Sequence, residues 1–336
     1  MHKKTYGSIL ISRTDSIGDV ILTLPLCGFL KELFPSCNIL FLGTSYTLPI
    51  LERCKYIDMP LDWQEIKQKP WREQVEYMRF MRIAQVIHVF PRFSIAKLCY
   101  QASIPIRIGT SHRLYHWWYC NRLVPLGRKN SFLHEAELNI QLLKPLTKQR
   151  PTRPLWHYYG IISSTTTFTS LFEKNTRPKI ILHPGSRGSA KNWPLNYWHA
   201  LIELLIKAEY QVILTGSAAE ADILASWVSN LPSTIYNLMG KLTLSELIDC
   251  IAASDLLVAA STGPLHIAAA LGKFTVGLYV PLKPLYPQRW APLGEKAYYL
   301  VSSQTCRKCT QKECPCMLAL TPKDVFAQIQ KLLLKN

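Results

Sequence analysis

The chain predicts an α/β fold made of two doubly wound, Rossmann-like domains in tandem, facing each other across a cleft. Three observations predict it. Short apolar runs alternate with stretches of helical period, the grammar of parallel sheets covered on both faces. That grammar pauses in a Pro-, Thr- and Ser-rich stretch, Thr147 to Thr176, and then restarts. A length of 336 residues leaves room for two cores of ordinary size. The expected domains span 1–165 and 176–320, with a closing helix in 321–336 packing back toward the first domain.

In the first half, Ser8 to Ser12 reads as a buried strand and Val20 to Leu33 as a helix that stops before Pro35. Asn38 to Leu42, Gln85 to Phe90 and Ile104 to Gly109 read as further strands, and Phe132 to Leu143 as an amphipathic helix. In the second half, Lys179 to His183, Gln211 to Thr215, Leu256 to Ala260 and Thr275 to Tyr279 are strands. Tyr197 to Ala208, Leu244 to Ala253, Pro264 to Leu271 and Pro322 to Leu334 are the helices between and after them. Ligands of such sheets sit beyond the carboxyl ends of the strands. The loops after Ser12, His183, Thr215 and Ala260 are therefore the places to search.

Ser261-Thr262-Gly263-Pro264, after the run Leu256 to Ala260, is the most informative of these loops. Hydroxyl residues stand where an N-cap belongs, Pro264 falls in the first turn, and Gly272 marks the stop. Free N–H groups among small residues make an anion site, although the same pattern fits an ordinary strand-to-helix turn. The first loop, Arg13 to Asp19, has too few glycines for a dinucleotide fingerprint and no P-loop. Gly18 permits close backbone approach, and Asp19 is either a helix N-cap or a general base whose carboxylate the helix dipole favours.

His183 to Pro194 carries Gly185, Ser186, Arg187, Gly188, Ser189 and Lys191, a donor-rich loop suited to a diphosphate. Trp193 reads as a packing residue that holds this loop down. Gly216 follows the next strand, and Glu220 beyond it either holds a ribose hydroxyl or is a helix-start glutamate facing solvent. Met239 with Gly240 is placed to line a base pocket.

The formal net charge is +17, which implies acidic partners. From Tyr77 to His134 there is no Asp or Glu, while Arg79, Arg82, Arg92, Lys97, Arg107, Arg113, Arg122, Arg128 and Lys129 all fall there. Surface solubility alone would mix the signs, so this half carries an anion-attracting face. No nucleic-acid reading module accompanies the charge, and nucleic acid is not expected as a partner. Val20 to Leu30 is too short for a bilayer span and contains Pro25 and Gly28, and no cleavable leader is visible. A soluble or peripheral protein is expected. Six scattered cysteines fit reduced core thiols of a cytosolic chain. Cys306, Cys309, Cys314 and Cys316, spaced C-x2-C-x4-C-x-C, allow a structural zinc or simply a redox-labile or structural cluster.

Taken together, these segments resemble glycosyltransferase family 9, the heptosyltransferases of lipopolysaccharide inner-core assembly. The resemblance covers nearly the whole chain. It rests on Ile9-Leu10-Ile11-Ser12-Arg13 with Ser16-Ile17-Gly18-Asp19-Val20, on Arg107-Ile108-Gly109, and on His134 with Glu137. It continues through His183-Pro184-Gly185-Ser186, Lys191 with Trp193-Pro194, Leu238-Met239-Gly240 and Ser261 to Gly272. The resemblance implies a GT-B fold, with an acceptor-binding first domain and a donor-binding second one. It implies an inverting, metal-independent transfer of a sugar from a nucleotide diphosphate, ADP-heptose for the best-known members, with no cofactor required.

By the same resemblance, Asp19 matches the catalytic base, Lys191 the diphosphate-binding lysine, and Thr262 with Gly263 the phosphate contacts at a helix start. Ser186, Arg187, Gly216, Glu220, Met239, Ser261 and His266 complete the expected donor site. Arg13, Arg92, Arg107 and Arg113 are expected to meet a phosphorylated glycolipid acceptor of the Kdo-lipid A type. Contact with an anionic inner membrane from the cytoplasmic side would follow. Many family members carry Asp before the Thr-Gly pair, where this chain has Ser261, which leaves another donor sugar open. A nucleotide-sugar-binding protein without catalysis is the alternative from another functional class.

Overall fold

The structure, a computed structural model, describes residues 7–128, 131–163, 168, 176–304 and 315–334. The chain divides into two compact units, Met1–Ile162 and Ser163–Asn336. The first unit is built on a six-stranded parallel sheet: β1 (Ser8–Ser12), β2 (Asn38–Gly43), β3 (Met59–Asp62), β4 (Ile83–His88), β5 (Ile106–Thr110) and β6 (Arg122–Val124). Its spatial order is β3-β2-β1-β4-β5-β6. The second unit repeats that plan with β7 (Lys179–His183), β8 (Gln211–Leu214), β9 (Tyr236–Asn237), β10 (Leu256–Ala260), β11 (Phe274–Tyr279) and β12 (Ala297–Val301). Its order, β12-β11-β10-β7-β8-β9, is the same winding. Each sheet thus reverses direction once, between β1 and β4 and between β7 and β10.

The central strands are apolar on both faces, as a doubly covered sheet requires. Ile9, Leu10 and Ile11 of β1 and Leu256, Leu257 and Val258 of β10 are fully buried. Register places Ser12 opposite His88 and His183 opposite Ala259, so the ends of the strands that flank each reversal lie side by side. These are the places where a doubly wound sheet opens a crevice.

Several elements differ from expectation. The helix expected over Val20 to Leu33 is two helices, Ile17–Ile21 and Leu24–Leu33. Pro25 has no N–H to donate and its ring opposes the carbonyl four residues back, so the chain restarts with Pro25 in the new first turn. The helix expected over Phe132 to Leu143 is shorter, Glu135–Gln141, because His134 caps it. The boundary is sharper than the Pro/Thr/Ser-rich stretch suggests. Leu155–Tyr158 forms a 3-10 turn against Leu24–Leu33, where Gly28 has no room for a Cβ beneath Tyr158. Ile161 bridges to Cys54, which leaves this segment in the first unit.

The closing helix, Pro322–Leu333, was expected against the first domain. It buries Val325, Ile329 and Leu332 in the core of the second unit, against the helix Leu195–Lys207 and β11. Trp193 lies in that core too, donating its Nε1–H to Leu320 O at 2.8 Å and meeting Trp198 edge-on. It packs the loop down, as its position suggests. No helix among the described residues is long and apolar enough to cross a membrane.

Candidate active site

In the first unit, the chain leaves β1 through Arg13, which is 3% exposed. Three carboxylates share its guanidinium: Asp15 on Nε at 2.8 Å, Glu135 on Nη1 at 3.2 Å, and Asp19 on Nη2. Burial of the cation among these carboxylates is tolerable because they supply its counter-charge. Glu135, 1% exposed, also pairs with Arg128 at 3.2 Å. Burial pushes the Asp15 carboxyl up to about 6, and Arg13 opposes this while Asp19 adds to it.

Asp19 is the third residue of its short helix rather than the N-cap, which is Ser16. The Ser16 hydroxyl donates to Asp19 Oδ2 at 2.5 Å, and Arg13 holds the other oxygen. The Asp19 side chain keeps 19% exposure. The result is a carboxylate with a fixed orientation and one open side, which suits a base that works by placement. His134 and Glu137 act behind it. His134 Nδ1 accepts from Ala136 N and Glu137 Oε2 accepts from His134 N, a capping box that starts the helix presenting Glu135.

The expected acceptor arginines do not form one cluster. Arg13 is buried and engaged by the three carboxylates rather than facing outward. Arg107 is partly buried. Its Nε donates to Tyr119 O at 2.7 Å and its Nη1 to Ile104 O, which closes local turns. Arg92 braces the first loop, donating to Thr14 Oγ1 at 2.6 Å and to Thr14 O at 3.1 Å. Arg113 is exposed.

In the second unit, the candidate donor residues gather at the carboxyl ends of β7, β8 and β10. The loop after β7 approaches Glu220 so closely that a Cβ on Gly185 would overlap its carboxylate. Ser186 Oγ lies 2.6 Å from Asn192 Oδ1 and 3.1 Å from Ala190 O, which shapes the loop from within. Arg187 and Gly188 turn it through positive φ, and Ser189 Oγ donates to Ser261 O at 3.2 Å. Lys191, in the same loop, is half-buried. Arg187 Nε reaches Ser217 Oγ at 3.4 Å.

Glu220 does not face solvent. It is the third residue of a capping box, accepting from Ser217 N and Oγ at 2.8 Å each through Oε2. Its other oxygen, Oε1, is buried with no protein partner. Burial disfavours its charge, yet the Ser217 bonds hold the carboxyl below its usual range. Beside it, His183 is driven by burial down to about 4, and its Nδ1 lies 3.0 Å from Thr215 Oγ1. Met239 is buried and its methyl fills the space a Cβ would need at Gly216.

Thr262 is the N-cap of the helix Gly263–Ala270, but its side chain makes no cap bond. Its Oγ1 is buried without a protein partner, beside the helix's free N–H groups. An acceptor atom is what that arrangement lacks. Ser261 bonds through its side chain to Tyr279, whose hydroxyl donates to Trp290 O. His266 is buried one turn further along the helix. Sequence reasoning missed Glu135 and Thr215. Glu135 alone had a signal, standing between His134 and Glu137.

Of the proposed zinc ligands, Cys306, Cys309 and Cys314 lie outside the described residues. Cys316 is buried, with its thiol 3.4 Å from Gln304 O. Among the described residues, no three His, Cys, Asp or Glu side chains group as metal ligands would.

The sequence profile of glycosyltransferase family 9 (heptosyltransferase) matches residues 81–319. The chain is 28% identical over 318 residues to lipooligosaccharide heptosyltransferase 2 of Haemophilus influenzae, covering 86% of this chain and 87% of that one. It is 25% identical over 348 residues to lipopolysaccharide heptosyltransferase 2 of Escherichia coli, covering 98% and 99%. The solved structure of E. coli ADP-heptose lps heptosyltransferase II superposes with a TM-score of 0.81 at 25% identity, covering 98% of this chain and 99% of that one. The fold is GT-B, and with the profile spanning about half of the first unit and most of the second, the chain belongs to glycosyltransferase family 9, the heptose-transferring glycosyltransferases.

Proposed function

We propose that the chain transfers a heptose, with inversion, from ADP-heptose to an inner-core lipopolysaccharide acceptor of the Kdo-lipid A type. The observation that carries this reading is Asp19, oriented by Arg13 and Ser16 yet open to solvent on one side. Its carboxylate takes the proton of the acceptor hydroxyl as that oxygen attacks the anomeric carbon, and the sugar–phosphate bond breaks on the opposite side. The departing diphosphate is met by Lys191, Arg187 and the N–H groups that Thr262 and Gly263 open, so charge relief at the leaving group requires no metal.

Glu220 Oε1, buried and without a protein partner, suits a ribose hydroxyl, and Met239 over Gly216 suits the flat face of a base. The relatives support the donor. Solved family members carry ADP and an ADP-2-deoxy-2-fluoro heptose in their names. The acceptor's phosphates and the acid-free stretch suit each other, which supports a peripheral position on the cytoplasmic face of an anionic inner membrane.

Two measurements test the reading. Asp19→Ala lowers transfer by about three orders of magnitude if the carboxylate is the base, and unchanged activity removes it from that role. A thermal-shift panel of nucleotide sugars should single out ADP-heptose. Stabilisation by UDP- or GDP-sugars alone would refute the donor assignment, and binding without turnover would favour a non-catalytic sugar-nucleotide sensor.

A further inference from the structure

The turn between β5 and β6 carries a feature that sugar transfer does not use. A turn closed by the bonds His116 N to Arg113 O and Trp117 N to Leu114 O leads into a single helical turn, His116–Tyr119. Leu114, Trp117 and Trp118 fall within this short segment and make up its outer face. That face is bare: the three side chains are 78, 62 and 70% exposed. Its opposite side is firmly seated. His116 is fully buried, with Nδ1 3.0 Å from Thr110 O, in a space that exists only because Gly109 has no Cβ.

Phe93 meets Tyr115 and Tyr119 edge-on at 5.6 Å each, and Tyr100 meets Tyr119 at 5.6 Å. Phe93 and Tyr100 are themselves about half exposed. An apolar face held this rigidly has lost no freedom that burial would otherwise have to overcome. Two exposed tryptophans and a leucine in one patch call for a covering partner.

We infer that this face, Leu114, Trp117 and Trp118 with Phe93 and Tyr100 beside it, inserts into the interfacial layer of an anionic bilayer. It deepens the membrane clause of the proposed function by naming the surface that makes the contact. Charge selects the partner. Arg113 and Arg122 are exposed on the same turn and strand, and no acid occurs from Tyr77 to His134. A protein partner fits this less well, since interface rims usually mix signs. Tryptophan with a polar N–H suits the headgroup boundary, where its ring is apolar and its edge is wet. The Trp117 Nε1–H already donates to Ser111 O at 3.0 Å, so its ring enters without an unsatisfied donor.

The test is sedimentation of the full chain with phosphatidylethanolamine vesicles, with and without phosphatidylglycerol, in the absence of donor and acceptor. The unmodified chain should pellet with the anionic vesicles. Trp117→Ser with Trp118→Ser should lower its partition coefficient about tenfold, and Arg113→Gln with Arg122→Gln should lower it and flatten its salt dependence. Ile223→Ser, an exposed apolar residue of the second unit, should change nothing. Trp117→Phe with Trp118→Phe should restore most of the binding, and far-ultraviolet circular dichroism should be the same for all variants.

Equal binding by the serine double variant, or no binding by the unmodified chain, overturns the inference. So does concentration-dependent dimerisation abolished by the serine variant, which would make the occupant a second copy. Transfer to a delipidated, water-soluble acceptor separates the two proposals. Its absence together with intact vesicle binding sinks the sugar-transfer reading and leaves this one standing.

Discussion

Replacing Arg13 by Met tests the link between the core of the first unit and the candidate base. The substitution removes one buried cation and strands its three carboxylates unequally. Asp15 and Asp19 keep about a fifth of their side-chain surface exposed and can rehydrate, whereas Glu135 is 1% exposed and cannot. Breaking a buried pair by deleting one partner costs about 3–5 kcal/mol. Arg128 still neutralises Glu135, so the lower end, about 3 kcal/mol, is expected. In urea this moves the midpoint of the first unit's transition down by about 1–2 M. Adding Glu135→Gln to Arg13→Met should recover at least about 1 kcal/mol, because the orphaned charge is then gone.

Arg13→Lys keeps a charge but offers no planar fork for three carboxylates. It should fold, while transfer falls about 100-fold through loss of Asp19 orientation. A change under about 0.5 kcal/mol for Arg13→Met, with activity retained, would refute the idea that the cation holds the site together.

Acid should loosen the second unit, and the first to a lesser degree. The raised Asp15 carboxyl gains protons on folding in the same range and offsets part of the first unit's loss. Burial holds His88 down to about 3 and His183 down to about 4, both below the value expected in the unfolded chain. The unfolded state therefore binds more protons between those values and about 6.5, and stability present at neutral pH is lost as pH falls through that window. At pH 5 each histidine accounts for about 2 kcal/mol of loss relative to neutral pH, measurable by urea titration, and His88→Phe should flatten the first unit's share. Thr262→Val swaps a partnerless buried hydroxyl for a methyl, so stability should hold within about 0.5 kcal/mol while the ADP dissociation constant rises about tenfold. Calorimetry of ADP binding checks this. Gly185→Ala forces a Cβ into the Glu220 carboxylate, and the loop must move, at a cost of about 1–3 kcal/mol in thermal unfolding.

The strand ends and their loops were legible because an apolar run that stops at Gly, Ser or Thr has one reading in a doubly wound sheet. Arg13, Thr262 and Glu220 all come from such places. The edges were less legible. The strand β12 is exposed at alternate and adjacent positions and β9 has two residues, so neither carries a buried run to detect. The roles of the arginines were illegible for a different reason. A guanidinium on a surface and one buried among carboxylates look the same in composition, and Glu135 lies 122 residues from Arg13. Arg107 was read as a surface cation because its acceptors, Tyr119 O and Ile104 O, are backbone atoms that no residue type announces.

The two units wind their strands in the same order, yet the helices that open at their reversals are electrically opposite. The helix after β1 carries Asp19 in its first turn, whereas the helix after β10 has no acid there. The first helix opening is therefore neutralised by its own chain, and an incoming anion gains little from it. The second is left uncompensated until something negative arrives. Under the proposed function, the donor diphosphate would therefore have one address in a molecule whose architecture offers two, and this single carboxylate would give an otherwise repeated fold its polarity.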